Sequence, residues 1–470
     1  MVKGLTKPKR GQQELGLTRC RGLLRLSLAT LPYGFYLNLL GILTVLGLLR
    51  RQVRYPCLDP LTRFSLIGIS GVMILSTLTA IDRGEAVLQL SHFLPFFWLF
   101  ATLPILVRSP FYQAQLAHDL VLASVPINVV AIAEYAAKNN MLPPMFSQLG
   151  IVQAWQSAPH IGRAMVMFDH PNTLANYLAI CLGLGLGLIA REMGRGMTRG
   201  MTRGMTGGSQ VDLSQPEGRS LQPTPIVPPI SLWLWGATFL NLVGIFCSGS
   251  RNGILVAVAQ LLGLAMMVKW NRIVLLIGGV SVVSLSLAIF SLGLGQRAIG
   301  IAQVMDDPRV GVWKIALDLM GERPWLGWGP GSFKFLYPAR LIDPDYLTIF
   351  HPHNLWFMLG AEYGIPIMVA LSTVIGFICY RGTRAVWERS PCSSPDPADA
   401  QHPEATGSPV GDRGDRSIFS GYALAFGGSI GFSLLDVTLY DARINVLNWV
   451  LLSILYSWTL KSPIQPTVKP

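Results

Sequence analysis

Residues 173–190 read TLANYLAICLGLGLGLIA. Eighteen residues pass without a single charge, close to the run of about 20 that crosses a bilayer as a helix. Runs of similar character lie near 62–80, 88–107, 116–135, 230–247, 252–268, 273–292, 355–379, 418–435 and 444–461, and a further one covers 23–49. They are continuous rather than alternating, which excludes a membrane barrel. The whole chain agrees with this stretch. Of 470 residues, 51% are apolar and 13% charged, about half the usual share of charge in a soluble domain, and the mean hydropathy is +0.45. An ordinary soluble enzyme, a disordered chain and a protein with one anchor are all excluded. The expected fold class is an all-α polytopic membrane protein.

Positive charge orients the spans. The linker 191–229 carries Arg191, Arg195, Arg199, Arg203 and Arg219, so it is expected in the cytoplasm. Lys269 and Arg272 fall two spans later. Arg381, Arg384, Arg389, Arg413 and Arg416 mark 380–417, and Arg50, Arg51, Arg54 and Arg63 mark the region before 62–80. These assignments agree in parity. The basic N-terminus, with Lys3, Lys7, Lys9, Arg10, Arg19, Arg21 and Arg25, fits only if 23–49 is a hairpin or re-entrant pair, and Pro32 and Gly34 interrupt that run. About 12 membrane helices follow, with both termini inside.

The expected organisation is a cytoplasmic basic segment over 1–22 and an N-terminal bundle over 23–292, interrupted by the 191–229 loop with its Arg-Gly-Met-Thr repeats. A large extracytoplasmic loop covers 293–354. C-terminal helices over 355–461 enclose the 380–417 loop, and a cytoplasmic tail covers 462–470. No cleavable leader is expected, because the first apolar run lacks a small-residue cleavage site and leads into further spans. The net charge of +12 reads as cytoplasmic loops beside anionic lipid and as a phosphate-bearing substrate, not as a nucleic-acid surface. The six cysteines (20, 57, 181, 247, 379 and 392) show neither zinc spacing nor a disulfide framework.

Three polar stretches are expected outside, at 136–172, at Ser248–Asn252 and at 293–354. The first holds Arg163 and Asp169-His170-Pro171-Asn172, and the second holds Arg251. In the third, Val310–Met320 has helical spacing with Arg309 at its start. Gly327–Gly331 lacks the lysine and the context of a nucleotide loop, and reads as a rigid turn with tryptophan anchors at the membrane surface. The loop ends in His351-Pro-His353-Asn354 before an apolar helix that contains Glu362. A neutral imidazole at such a mouth is a candidate base, and an ionisable group inside an apolar run is a functional candidate by default. No third metal ligand is evident beside the two histidines, so neither a metal nor another cofactor is expected.

Arg309, Trp313, the run Arg323-Pro-Trp-Leu-Gly-Trp-Gly-Pro-Gly-Ser-Phe333, His353-Asn354 and Gly364, with Arg163, Asp169–Asn172 and Ser250-Arg251, resemble the O-antigen ligase and O-antigen polymerase superfamily of bacterial inner-membrane proteins. The resemblance covers about 160–380. The ligase signature asks for a further glycine where this chain has Ile367. The resemblance implies a membrane fold of the GT-C-like glycosyltransferase kind in the inner membrane. It implies metal-independent, inverting transfer of a glycan from an undecaprenyl-diphosphate-linked donor to a hydroxyl of a glycan or lipid acceptor at the periplasmic face, as in ligases or polymerases. It assigns Arg163, Arg251 and Arg309 to the diphosphate and His353 to the acceptor proton. His170, Asn172 and Arg323 join the substrate side, Asn354 is expected to hold His353, and Glu362 is expected behind them. Cyanobacterial members of the superfamily have been labelled inorganic-carbon (bicarbonate) transporters, which is the alternative reading, followed by an assembly role.

The charge map makes a direct prediction. Single cysteines introduced into 191–229 and 384–416 are expected to resist a membrane-impermeant thiol reagent added from outside, while cysteines in 293–354 react. External labelling of 191–229 overturns the map.

Overall fold

The computed structural model describes residues 10–52, 58–206, 232–267, 308–340, 349–388 and 409–460. The expected span at 273–292, the start of the large loop, most of the two linkers and the tail at 462–470 lie outside the described residues. Every regular element among the described residues is helical. Five stretches are long and apolar enough to cross a membrane, namely Pro60–Thr79, Arg83–Ile105, Pro110–Lys138, Pro171–Gly194 and Ile365–Glu388. Phe35–Arg50, Leu232–Cys247 and Arg251–Met266 are shorter apolar helices. The protein is a multi-pass membrane protein, helical throughout its described residues.

In chain order the helices are α1 Arg10–Ala29, α2 Phe35–Gln52, α3 Pro60–Ser76, α4 Arg83–Leu90, α5 Leu94–Thr102, α6 Pro110–Lys138, α7 Gly150–Ser157 and α8 Pro171–Thr206. They continue as α9 Leu232–Cys247, α10 Arg251–Met267, α11 Pro308–Glu322, α12 Leu355–Tyr363, α13 Ile365–Glu388, α14 Pro409–Phe432 and α15 Ala442–Ser457. The run at 23–49 is broken at 30–34, where Pro32 and Gly34 sit. Tyr33 at this break donates from its hydroxyl to Ala123 O, midway along α6. Lower down, Arg25 pairs with Asp119 and Arg21 donates to Leu106 O. The α1–α2 pair therefore turns back beside the middle of α6.

Two linkers are more helical than their composition suggested. Helix α8 continues to Thr206, into the Arg-Gly-Met-Thr repeats, and α13 and α14 reach Glu388 and back to Pro409. Arginine and methionine are good helix formers, and a helix already nucleated in the bilayer propagates cheaply.

Helix α8 is the axis of the bundle. Its membrane window is 100% buried, and α6, α9, α10 and α14 surround it. Its glycines explain the closeness. A Cβ on Gly187 would lie 2.3 Å from Gly421 Cα of α14, and one on Gly183 would lie 2.6 Å from Ala425 N. Apolar surface gains little by leaving lipid for protein, so contact at short range and polar links hold membrane helices together. The Asn128 amide donates to Asn241 Oδ1 at 3.0 Å, and the Gln260 amide donates to Ala179 O and Leu424 O at 2.9 and 3.0 Å.

The run expected at 355–379 is two helices. Gly364 divides it with φ +88°, a conformation that glycine adopts without a Cβ penalty. The carbonyls exposed at this break accept N–H groups from the tryptophan-rich turn: Trp328 N to Ala361 O and Gly329 N to Glu362 O, both 2.9 Å. Ile365 N donates to Pro324 O at 2.8 Å. Gly327–Gly331 is thus a cap on a broken helix.

Gly187→Leu is expected to lower the apparent melting temperature of the purified protein, since overpacking costs about 1–3 kcal/mol or more. Gly236→Ala meets nothing within 4 Å and is expected to leave it unchanged.

Candidate functional site

At one end of the bundle, four segments distant in sequence meet: 134–170, the Ser248–Arg251 junction, 349–354 and 433–443. The last connects α14 to α15. It was not among the polar stretches expected outside, yet it supplies the central group. Asp436 is 6% exposed. Its Oδ2 accepts the Asn172 side-chain amide at 2.6 Å. Its Oδ1 accepts its neighbour Val437 N at 2.9 Å and faces His353 Nδ1 at 3.2 Å. Burial alone would raise the Asp436 carboxyl. The hydrogen bond with His353, the neighbouring imidazoles and the Asn172 amide outweigh it and hold the group well below the usual carboxylate range. An ionised carboxylate only accepts, so His353 Nδ1–H donates to it, and in the neutral ring the lone pair is then on Nε2.

The chain of contacts continues outward. Arg163 Nη2 donates to Asn172 Oδ1 and Arg163 Nε donates to Ser248 O, both at 2.9 Å. Arg163, Asn172, Asp436 and His353 therefore form one hydrogen-bonded line, and Arg163 is tied to the junction from which Arg251 starts α10. Two further contacts clamp the 433–443 segment. Arg443 Nη1 donates to Met167 O at 2.8 Å, with its guanidinium 4.3 Å from the Phe168 ring centre. Leu355 N donates to Ser433 O at 3.0 Å.

The loop that presents Arg163 hangs on a buried ion pair. Lys138 Nζ lies 2.9 Å from Glu134 Oε1, and both side chains are 2% exposed. Glu134 Oε2 accepts Met165 N at 3.0 Å and Val166 N at 2.7 Å, while Lys138 donates to Arg163 O at 2.9 Å. The chain is strained here. The non-glycine residues with positive φ among the described residues are Asn140, His160, Val166 and His353, and all lie at this end. Such conformations cost about 1–3 kcal/mol each and persist where the surroundings over-determine them. For β-branched Val166 the carboxylate of Glu134 does so.

Asp169, His170, Thr173, His351, His353, Asp436, Thr438, Tyr440 and Asp441 line an open cavity of about 280 Å³. His351 stacks on Tyr440, with ring centres 5.6 Å apart. Burial pushes both His351 and His170 down to about 4, so both are neutral at neutral pH. Neutral His170 accepts Asn172 N at Nδ1, which leaves its proton on Nε2.

The expected residues divide. His353, His170, Asn172 and Arg163 come together. Asn354 does not hold His353; it caps α12, its Oδ1 accepting Trp356 N and Phe357 N at 2.9 and 3.1 Å while its amide donates to Leu434 O. The holding role falls to Asp436. Glu362 is buried inside the capping turn, where its Oε1 accepts Phe333 N, and it does not line the cavity. Arg323 lies over the Trp328 ring at 3.8 Å, away from the cavity. Arg251 and Arg309 begin α10 and α11 and are not in the cavity lining either. Asp436 also stands beside His351 and His353 as a third potential ligand, which the sequence did not reveal. Asp436 was legible only as an acid at a junction between apolar runs that falls outside by the same parity as 293–354.

The geometry is that of a membrane protein with a histidine–carboxylate site at one end of its bundle. Residues 236–372 match the family model described as O-Antigen ligase, which supports the membership in the O-antigen ligase superfamily that the motifs suggested. The matched region contains Arg251, Arg309, Arg323, His353 and Asn354, and stops short of Asp436. A search of curated proteins returned no match.

Breaking a buried pair by removing one partner costs about 3–5 kcal/mol. Glu134→Ala is therefore expected to lower thermal stability strongly, whereas Glu322→Ala, which removes the exposed pair with Arg340, is expected to cost less than about 1 kcal/mol. Equal melting temperatures in the two variants would contradict the role of the Glu134–Lys138 pair.

Proposed function

We propose that the protein transfers a glycan from a polyprenyl-diphosphate carrier, undecaprenyl diphosphate in the first instance, to an acceptor hydroxyl at the extracytoplasmic face, with inversion at the anomeric carbon. The observation that carries this is the His353–Asp436 pair opening on the cavity, together with the O-Antigen ligase match. Asp436 fixes the imidazole by accepting from Nδ1. Nε2 then takes the proton of the acceptor hydroxyl as its oxygen bonds to the anomeric carbon. The bond from that carbon to the diphosphate oxygen breaks, and its electron pair leaves with the diphosphate. This is the orienting logic of a base held by a third group. Arg163, hydrogen-bonded to Asn172 beside the cavity, neutralises the leaving diphosphate, and Arg251 and Arg309, outside the cavity lining, are assigned to it by the family resemblance, arginine being suited to the task by its planar fork. Charge bias in the loops supports an extracytoplasmic position for the site, the face at which the carrier would present its sugar.

Purified protein given a lipid-diphosphate glycan and an acceptor tests this. His353→Ala is expected to slow transfer by roughly 10²–10⁴, the usual contribution of a general base, while donor binding survives. Asp436→Ala is expected to act in the same direction. Arg251→Ala and Arg309→Ala are expected to weaken donor binding, with Arg→Lys restoring it only in part. Chelator-treated protein is expected to keep its activity. Normal turnover in His353→Ala rejects the catalytic role, and labelled bicarbonate flux into liposomes without donor favours the transporter reading instead.

A further inference from the structure

We propose that His351, His353 and Asp436 form a binding site for a divalent ion of the zinc type, and that an ion held there switches off His353 as a base. The second half rests on the glycan-transfer reading; the first does not. One ligand atom from each residue lies within 4.8 Å of the other two. His353 Nδ1 and Asp436 Oδ1 are 3.2 Å apart, close to the ~3.4 Å edge of a tetrahedron with bonds of ~2.1 Å. All three separations lie within 4.8 Å, against the ~4.2 Å that two such bonds span at most, so at most a modest rotation of the His351 ring is needed to close the site.

The surroundings resemble a built site rather than a chance cluster. His353 has φ +51°, and this turn brings its ring within 4.7 Å of His351, centre to centre. Asp436 is held from behind by the Asn172 amide on Oδ2 and by Val437 N on Oδ1, the kind of outer support that orients metal-binding carboxylates. His351 Nδ1 accepts His353 N at 3.3 Å, a long contact that an ion would replace. The cavity of about 280 Å³ admits a hydrated ion and leaves a further position open beside His170. Two imidazoles and one carboxylate suit zinc, whereas magnesium prefers oxygen ligands alone.

The antagonism follows from one proton. Without an ion, His353 carries its proton on Nδ1, toward Asp436, and Nε2 is free to accept. An ion on Nδ1 obliges the ring to carry that proton on Nε2. No proton is gained or lost by the ring; it changes nitrogen, and the acceptor hydroxyl meets a donor instead of a base.

Metal-stripped, full-length protein in detergent is titrated with zinc chloride and with magnesium chloride by calorimetry, and the zinc-loaded sample is examined by X-ray absorption. One zinc per chain with nitrogen and oxygen neighbours is expected, and no magnesium. Asp436→Asn and His351→Ala are each expected to abolish zinc binding, and Asn172→Ala to weaken it about 10–100-fold, with unchanged elution volume reporting on folding. Zinc at saturation is expected to slow wild-type transfer, and chelator to restore it. Absence of zinc binding, or binding retained in both Asp436→Asn and His351→Ala, overturns the site. Binding without slowed transfer overturns the antagonism. Lack of transfer by the metal-free protein counts against the glycan-transfer reading alone, because the site is read by binding.

Discussion

One carboxylate closes the end of the bundle that holds the candidate site. Asp436 accepts from a residue 264 positions before it and faces another 83 positions before it. A buried anion is costly unless each oxygen finds a donor, and these oxygens find Asn172, Val437 and His353 on three sides. The same three bonds fix where α8 starts, how the 433–443 segment lies and which nitrogen of His353 faces the cavity. Asn354 and Ser433 extend the tie by joining the start of α12 to the same segment.

Around this group the protein spends conformational strain in one place. His160, Val166 and His353 all have positive φ, and each lies in a segment that borders the cavity or carries Arg163. The Glu134–Lys138 pair explains how the loop tolerates it. Its charges are shielded from lipid and turned toward backbone N–H and C=O groups, so it acts less as a salt bridge than as a set of donors and acceptors for a loop that cannot satisfy itself.

Much of the fold was legible because the bilayer imposes it. Among the described residues the continuous apolar runs are helices, and Pro32 and Gly34 mark the break between α1 and α2. Hydropathy did not show that 355–379 divides at Gly364, since apolar residues continue on both sides of the break and only the positive φ, with the turn that caps it, reveals it. The site was legible in part. His353, His170, Asn172 and Arg163 stood in polar stretches beside apolar runs. Asn354 and Glu362 stood in equally suggestive places, yet they serve the ends of α12. Residue type and spacing do not distinguish a helix cap from a ligand. Asp436 was missed because its partners are distant in sequence and its own segment is short.

The burial of α8 bears on how such a chain is made. A ribosome releases α8 long before α14 and α15, so the face of the axis that α14 covers is at first without that partner, and Asn176 is not yet able to reach the hydroxyl of Thr438 that it meets in the finished protein at 2.6 Å. Its glycines leave a smooth surface that lipid tails cover without penalty until the later helices displace them. Asp436 arrives on the same late segment as Thr438. A nascent chain therefore carries an unassembled cavity until that hairpin docks, and the His353–Asp436 pair forms only after the last of its parts has emerged.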